Sequence, residues 1–303
     1  MKTKFILDSG DVMEYKEIKH LARQGNSELW GSTTNPSLIA KSAEHILQGK
    51  KLTMEEAFDL QRKIVAEILH IVPGAVSAEV YADRETKAEE MIKQGREIAR
   101  WDSRIVVKLP TTIEGFKART ILRQESILTN NTLVFSQEQI YAICLHEEII
   151  QRNFTPQSKW PPFISPFVGR IDDHEFEGMD LVREGMRLKK LFNTPLWMLE
   201  ASVRKIDDIR EGIGLHTELI TAPAKVYREW FSLTESQRSE VKHVSDEEIL
   251  NSIPEWKPPI EFLTTSSMDD FYRLIESGTL NINHPLTDSG IARFVNDWKA
   301  ILK

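Results

Sequence analysis

At 303 residues, with 41% hydrophobic and 28% charged residues, the chain has room for one large domain with an appendage or for two small ones, and its composition excludes disorder as the main state. Lys and Arg number 39 against 46 Asp and Glu, a net charge of −7 that argues against a nucleic-acid partner and leaves any anionic ligand to a few local cations. The single Cys144 allows no internal disulfide, no apolar run approaches about 18 residues, and MKTKFILDSGD lacks the features of a signal peptide, so a cytoplasmic protein with no membrane segment is expected.

In chain order, short β-type runs alternate with longer helical patterns, as in repeated βα units on a parallel sheet. The first strand is predicted at Lys4–Leu7 and is followed by Asp8, which reads either as a helix N-cap or as a proton-transfer group. The second, Leu29–Ser32, leads into Thr33-Thr34-Asn35-Pro36, where Pro36 suits a first helical turn and Asn35 its cap. Ala57, Leu60, Ile64, Ile68 and Ile71 recur at helical spacing and predict a helix over Glu55–His70. The third strand, Ala75–Tyr81, carries Glu79 inside a run that otherwise reads as core.

The fourth strand, Ile105–Leu109, carries Lys108. Alternation sets Val106 and Lys108 on one face and Val107 and Leu109 on the other. On an inner barrel face, burial disfavours the charged amine, and a neutral amine attacks carbonyl carbon. At a strand end the same lysine would snorkel or pair with a carboxylate.

Asn130, Asn131 and Thr132 interrupt the fifth strand, Leu128–Phe135, and further strands are predicted at Pro162–Val168, Leu196–Glu200 and Leu215–Leu219. Eight strands with eight intervening helices predict a closed (β/α)8 TIM barrel over residues 1–231. Residues 232–303 form an extension of the same domain. It holds a polar excursion containing Pro254, Pro258 and Pro259, a short helical signal at Ser245-Asp246-Glu247-Glu248, and a terminal helix capped by Thr287 or Asp288. On that helix Ile291, Phe294, Val295, Trp298, Ile301 and Leu302 make one apolar stripe that must pack on something.

Reactive residues of such barrels lie at the C-terminal ends of strands, and phosphate sites are common in the loops after the late strands. Asp8, Glu79, Lys108, Asn130 and Thr132 fall at the first kind of position, and Arg170 and Arg204 at the second. Metal chemistry finds little support: His146-Glu147-Glu148-Ile149-Ile150 lacks the second histidine of H-E-x-x-H, and Asp172-Asp173-His174-Glu175 reads as a solvated loop.

Two blocks are specific. Gly31-Ser32-Thr33-Thr34-Asn35-Pro36-Ser37-Leu38-Ile39, and Ile105–Pro110 with Thr112, Glu114, Gly115 and Ala118, resemble the signatures of the transaldolases, Schiff-base-forming barrels akin to class I aldolases. Leu7–Asp11, Asn130–Ser136, Ile164–Asp172 and Ala201–Arg204 agree in order, so the resemblance covers residues 4–230, and Phe294–Trp298 is similar to the family's terminus. It implies that Lys108 forms an imine with a ketose carbonyl, that Asp8 is the general acid/base, and that Glu79 and Thr132 hold the water of imine formation and hydrolysis. It also implies that Thr33, Asn35, Asn130 and Ser165 bind the dihydroxyacetone portion, and that Arg170, Ser202 and Arg204 grip a phosphate. The expected reaction exchanges fructose 6-phosphate and erythrose 4-phosphate with sedoheptulose 7-phosphate and glyceraldehyde 3-phosphate in the pentose phosphate pathway, without a cofactor or metal.

A fructose 6-phosphate aldolase, a lyase on the same barrel, is the nearest alternative. Glu79 and Phe167 favour transfer, because the lyases carry glutamine and tyrosine at the corresponding positions. A non-catalytic sugar-phosphate-binding barrel is the third reading. Two features depart from the family pattern: Phe116 replaces a smaller aliphatic residue and reads as packing, and residues 232–286 have no counterpart, which leaves a lid or an oligomer interface open.

Overall fold

A computed structural model of the chain describes residues 2–173, 177–252, 256–259, 262 and 264–303, and of His45 the backbone only. Eight parallel strands pair in chain order: β1 (Lys4–Asp8), β2 (Leu29–Thr33), β3 (Val76–Glu79), β4 (Ile105–Pro110), β5 (Thr129–Val134), β6 (Phe163–Pro166), β7 (Trp197–Glu200) and β8 (Leu219–Ala222). Lys4 to Leu7 pair with Leu219 to Ala222, which closes the sheet into a (β/α)8 TIM barrel.

Helices α1 (Val12–Gln24), α2 (Pro36–Leu47), α3 (Met54–Ile71), α4 (Ala88–Ala99), α5 (Ile113–Gln124), α6 (Gln137–Asn153), α7 (Val168–Asp172), α8 (Gly178–Phe192), α9 (Ile206–Gly214) and α10 (Ala224–Ser232) alternate with the strands. Two helices instead of one follow β2 and β6. After α10 come α11 (Glu235–Arg238), α12 (Asp246–Leu250), α13 (Met268–Glu276) and α14 (Pro285–Lys299). Among the described residues no helix is long and apolar enough to cross a membrane.

Short polar caps convert strands into helices at the top of the barrel. Asp11 accepts from Met13 N, Asn35 from Leu38 N, Thr112 from Gly115 N and Ser136 from Gln139 N, each satisfying an amide that the first helical turn leaves unpaired. At the opposite end, where the strands begin, Trp30 packs edge-on against Trp160 at 5.2 Å and Trp197 stacks on Phe163 at 5.8 Å. These rings pack the end of the barrel opposite the C-terminal ends of the strands.

The eighth strand differs from the predicted Leu215–Leu219. Leu215 ends α9, His216 turns with φ +62°, and Thr217 Oγ1 donates to the Gly212 carbonyl oxygen, so the chain becomes extended only at Leu219, where it pairs with β1. The alternation of Leu215, Thr217 and Leu219 belongs to a helix end and a turn. The terminal helix starts earlier than Thr287: His284 caps it through Nδ1, and Pro285 takes the first turn. The signal at Ser245 is a capping box with Glu248 that opens α12. Pro254, in the excursion, lies outside the described residues.

Phe116 anchors the extension. Its ring lies 5.3 Å from Phe271 on α13 and 5.3 Å from His146 on α6, while Thr120 Oγ1 meets the Tyr272 hydroxyl at 2.6 Å. Beneath them Glu147 takes Arg119 at 2.6 Å and Arg123 at 3.0 Å, a buried triad in which each charge is paired. His146 and Glu147, noted in the sequence as a failed zinc motif, thus join α6 to α5.

Candidate active site

Parallel pairing sets Asp8 beside Thr33, and Glu79, Lys108 and Asn130 in succession across β3, β4 and β5. Partners in register share a face of the sheet. Lys108 lines the cavity at the top of the barrel, so that face is the inner one. Its Nζ lies 2.9 Å from Glu79 Oε2 and donates to the Thr34 carbonyl oxygen at 3.0 Å, and both side chains of the ion pair are only 4% exposed. The two readings of Lys108 therefore coincide: the lysine is interior and it is ion-paired. Burial pushes the Glu79 carboxyl above its ordinary value, and the Lys108 charge opposes that rise.

Asp8 also lines the cavity, and it caps nothing, since Asp11 performs that task for α1. Thr33 Oγ1 donates to Asp8 Oδ1 at 2.8 Å and lies 2.6 Å from Thr221 Oγ1, a relay of hydroxyls across β8, β2 and β1. Burial pushes the Asp8 carboxyl up, and Lys108, Thr33 and Arg170 pull it back. Asn35 caps α2 and borders the cavity as well; its carbonyl oxygen serves the cap, which leaves its amide N–H groups for a ligand.

Asn130 on β5 links β3 and β6, donating to Ser77 Oγ at 3.3 Å and accepting from Ser165 Oγ at 2.7 Å. Thr132 lines the cavity with a buried hydroxyl that has no hydrogen-bond partner among the described residues. A buried polar group of that kind is costly unless something entering the cavity pairs with it. The neighbouring Leu133 takes φ +59° where the β5–β6 register shifts, an irregularity beside Thr132.

The cationic end is built by α7 and the loop after β7. Ser202 takes φ +60°, a left-handed conformation that costs a non-glycine residue, and its carbonyl oxygen receives Gly169 N at 3.2 Å. A Cβ on Gly169 would stand 2.2 Å from that oxygen, so only glycine allows α7 to dock there. Arg170 follows, with its guanidinium carbon 5.5 Å from the centre of the Phe167 ring. Arg204 is paired with Asp173 through both terminal nitrogens. Of the sequence-predicted residues, Glu79 and Asn130 stand behind the cavity wall, and the others border the cavity.

Sequence reasoning missed Thr221, Ser37 and Arg293, which also border the cavity, and it assigned Phe294 to packing alone. Thr221 is a polar residue in the apolar run of β8, a signal that was hidden once the strand was drawn four residues early. Among the described residues no group of three His, Cys, Asp or Glu side chains could hold a metal ion, and Asp173 is engaged by Arg204. His174 and Glu175, of the predicted solvated loop, lie outside the described residues. The cavity thus combines an amine, the Asp8 carboxyl shifted upwards by burial, several hydroxyls and a group of guanidiniums, with the raised Glu79 carboxyl behind the amine, a set suited to addition at a carbonyl of an anionic substrate.

A family model described as transaldolase/fructose-6-phosphate aldolase matches residues 5–303. A probable transaldolase of Lachnoclostridium phytofermentans is 35% identical over 223 residues, 74% of this chain and 87% of that protein. Probable transaldolases of Lactiplantibacillus plantarum and Thermus thermophilus are 31% and 30% identical over 98% and 96% of this chain, in each case covering 97% of the relative.

Proposed function

The chain belongs to the transaldolase/fructose-6-phosphate aldolase family, and on that premise we propose that it is a transaldolase, moving a dihydroxyacetone unit from a ketose phosphate to an aldose phosphate through a Schiff base on Lys108. The observation that carries this reading is the interior amine of Lys108, held 2.9 Å from a buried carboxylate and facing the cavity. The donors are fructose 6-phosphate or sedoheptulose 7-phosphate, the acceptors erythrose 4-phosphate or glyceraldehyde 3-phosphate, and the setting is the cytoplasmic pentose phosphate pathway.

The amine must be neutral to attack. Glu79, with its carboxyl raised by burial, is the adjacent acceptor for the proton. Nζ adds to the C2 carbonyl of the ketose, and loss of water gives the imine, Glu79 and the Thr132 hydroxyl being assigned to that water. Asp8 takes the proton of the C4 hydroxyl as the C3–C4 bond breaks, and the electron pair passes into the protonated imine to give an enamine. A carboxyl raised by burial suits a group that must accept and return one proton. When the second aldose arrives, C3 attacks its carbonyl carbon, Asp8 returns the proton to the new hydroxyl, and water releases Lys108. The imine is the electron sink throughout, so the scheme calls for no metal or organic cofactor.

Transfer is favoured over release by Phe167, which supports Arg170 through its ring face and offers no hydroxyl to protonate or hydrate the enamine. Borohydride added with fructose 6-phosphate should reduce the imine to a secondary amine, inactivate the protein and place the added mass on the peptide containing Lys108. Lys108→Arg should lose trapping and turnover together. Trapping on another lysine, or full activity in Lys108→Arg, overturns the proposal; synthesis of fructose 6-phosphate from free dihydroxyacetone at the rate of transfer would make it a lyase.

A further inference from the structure

One face of α14 forms a wall of the same cavity. Thr287, Gly290, Arg293, Phe294 and Asp297 recur at helical spacing and turn towards the barrel mouth. Thr287 Oγ1 donates to the Leu133 carbonyl oxygen at 2.9 Å, next to Thr132. At Gly290 an added Cβ would come within 2.6 Å of Leu133 Cδ2 and 3.0 Å of Arg170 Nη1, so the helix backbone rests on Arg170 itself. The Phe294 ring centre lies 5.8 Å from the Arg170 guanidinium carbon, and Asp297 accepts from Ser37 on α2, which packs against α14 at the cavity rim.

Three guanidiniums border the cavity, and they differ in their freedom. Arg170 is held between Phe167 and Phe294, and Arg204 is paired with Asp173. Arg293 has a side chain 65% exposed, and its ion-pair contact with Asp297 is a loose 3.7 Å. Burial, and then the positive charges of Arg293 and Arg204, push Arg170 below its ordinary value, so Arg170 sits in the field of the other two cations. An anion beside Arg170 would offset that field.

We propose that Arg293 is a third anion-binding residue, closing on the substrate phosphate from the side of α14 and making the C-terminal helix part of substrate recognition. This rests on the sugar-phosphate reading above. Because Arg293 is exposed and its helix is seated by other residues, its substitution acts on binding and leaves the fold intact.

The test compares the wild type with Arg293→Ala and Arg293→Lys. Calorimetric binding of inorganic phosphate should weaken by about 10-fold in Arg293→Ala and recover largely in Arg293→Lys. The KM for fructose 6-phosphate should rise by about as much with kcat within about twofold, while turnover of unphosphorylated fructose changes little. Unchanged phosphate affinity and KM in Arg293→Ala, or equal losses for fructose and its phosphate, overturn the inference. A wild type that binds phosphate through Arg293 yet forms no reducible adduct at Lys108 keeps the third cation and sinks the transaldolase reading; a wild type that traps and transfers with no dependence on Arg293 does the reverse.

Discussion

Replacing Lys108 by Met removes the interior amine and leaves a side chain of similar reach, so the main structural consequence falls on Glu79, which loses the cation 2.9 Å away while still buried. In the native protein Lys108 opposes the burial that raises the Glu79 carboxyl from its ordinary 4.5; without it the carboxyl rises further. An unpaired carboxylate in such a place can instead bind a proton, and this limits the cost. The gap between 4.5 and pH 7 bounds the Glu79 share at about 3.4 kcal/mol, however dry the site. A group whose folded value is raised contributes stability that is fully present below its unfolded value and lost as pH rises through the folded one. Because the native carboxyl is already raised, Lys108→Met should be less stable than the wild type at pH 7 by less than that bound, on the order of 1–3 kcal/mol, with the deficit shrinking as pH falls towards 4.5. Asp8, which also loses an opposing charge, adds to the slope with the same sign. Urea unfolding at pH 7 and pH 5 measures the deficit, and the double variant Glu79→Gln/Lys108→Met isolates the carboxyl. A deficit equal at both pH values, or a double variant no more stable than Lys108→Met at pH 7, would refute this account of the pair. Activity and borohydride trapping should be absent from the single variant at either pH, which separates the chemistry from the stability loss.

The pair between Arg204 and Asp173 is half-exposed on both sides, so it stabilises the fold by no more than about 1 kcal/mol, but it engages a cation of the proposed anion site. Asp173→Asn should lower the KM for fructose 6-phosphate by about 2–5-fold with little change in melting temperature, and a raised KM would mean that Asp173 positions Arg204 instead of competing for it. Away from the cavity, Glu200 on β7 is buried, with neither carboxyl oxygen hydrogen-bonded among the described residues; burial, with Asp208 and Glu211 nearby, holds it well above its ordinary 4.5. Its contribution is present below pH 4.5 and lost as pH rises through the folded value, so Glu200→Gln should flatten the decline in thermal stability above pH 4.5, and parallel pH curves for the two proteins would contradict that.

Much of the site was legible because strands alternate. A charge among β-branched residues, as with Glu79 and Lys108, has few places to go except the inside of a barrel or a strand end, and here it has both. Arg170 and Arg204 were marked by their place after late strands and Ser202 only by resemblance, while nothing in the sequence shows the left-handed Ser202 or the close approach at Gly169 that aim them. Thr221 vanished with a misplaced strand boundary, because the apolar alternation of a helix end imitated the strand that begins beyond it. Arg293 was hidden for another reason. Cations on the polar side of an amphipathic helix are ordinary, and only the packing of Gly290 against Leu133 and Arg170 turns that face towards the cavity. Phe116, by contrast, read correctly as packing, although its partner Phe271 could not be named from the sequence.

The position of α14 has a consequence for the order of assembly. Thr287 ties to Leu133 across 154 residues and to Gln139 across 148, and Asp297 to Ser37 across 260. All eight strands leave the ribosome before this helix does, so a nascent chain can complete its sheet and bury its lysine while the mouth still lacks one side. The entropy of closing such long loops rises by only about 0.6 kcal/mol per doubling of length, which makes late docking of a distant helix scarcely more expensive than docking a near one. Non-local contacts of this separation form slowly, however. Chain direction therefore divides maturation into two events, with the interior amine in place first and the helix that narrows the entrance arriving last.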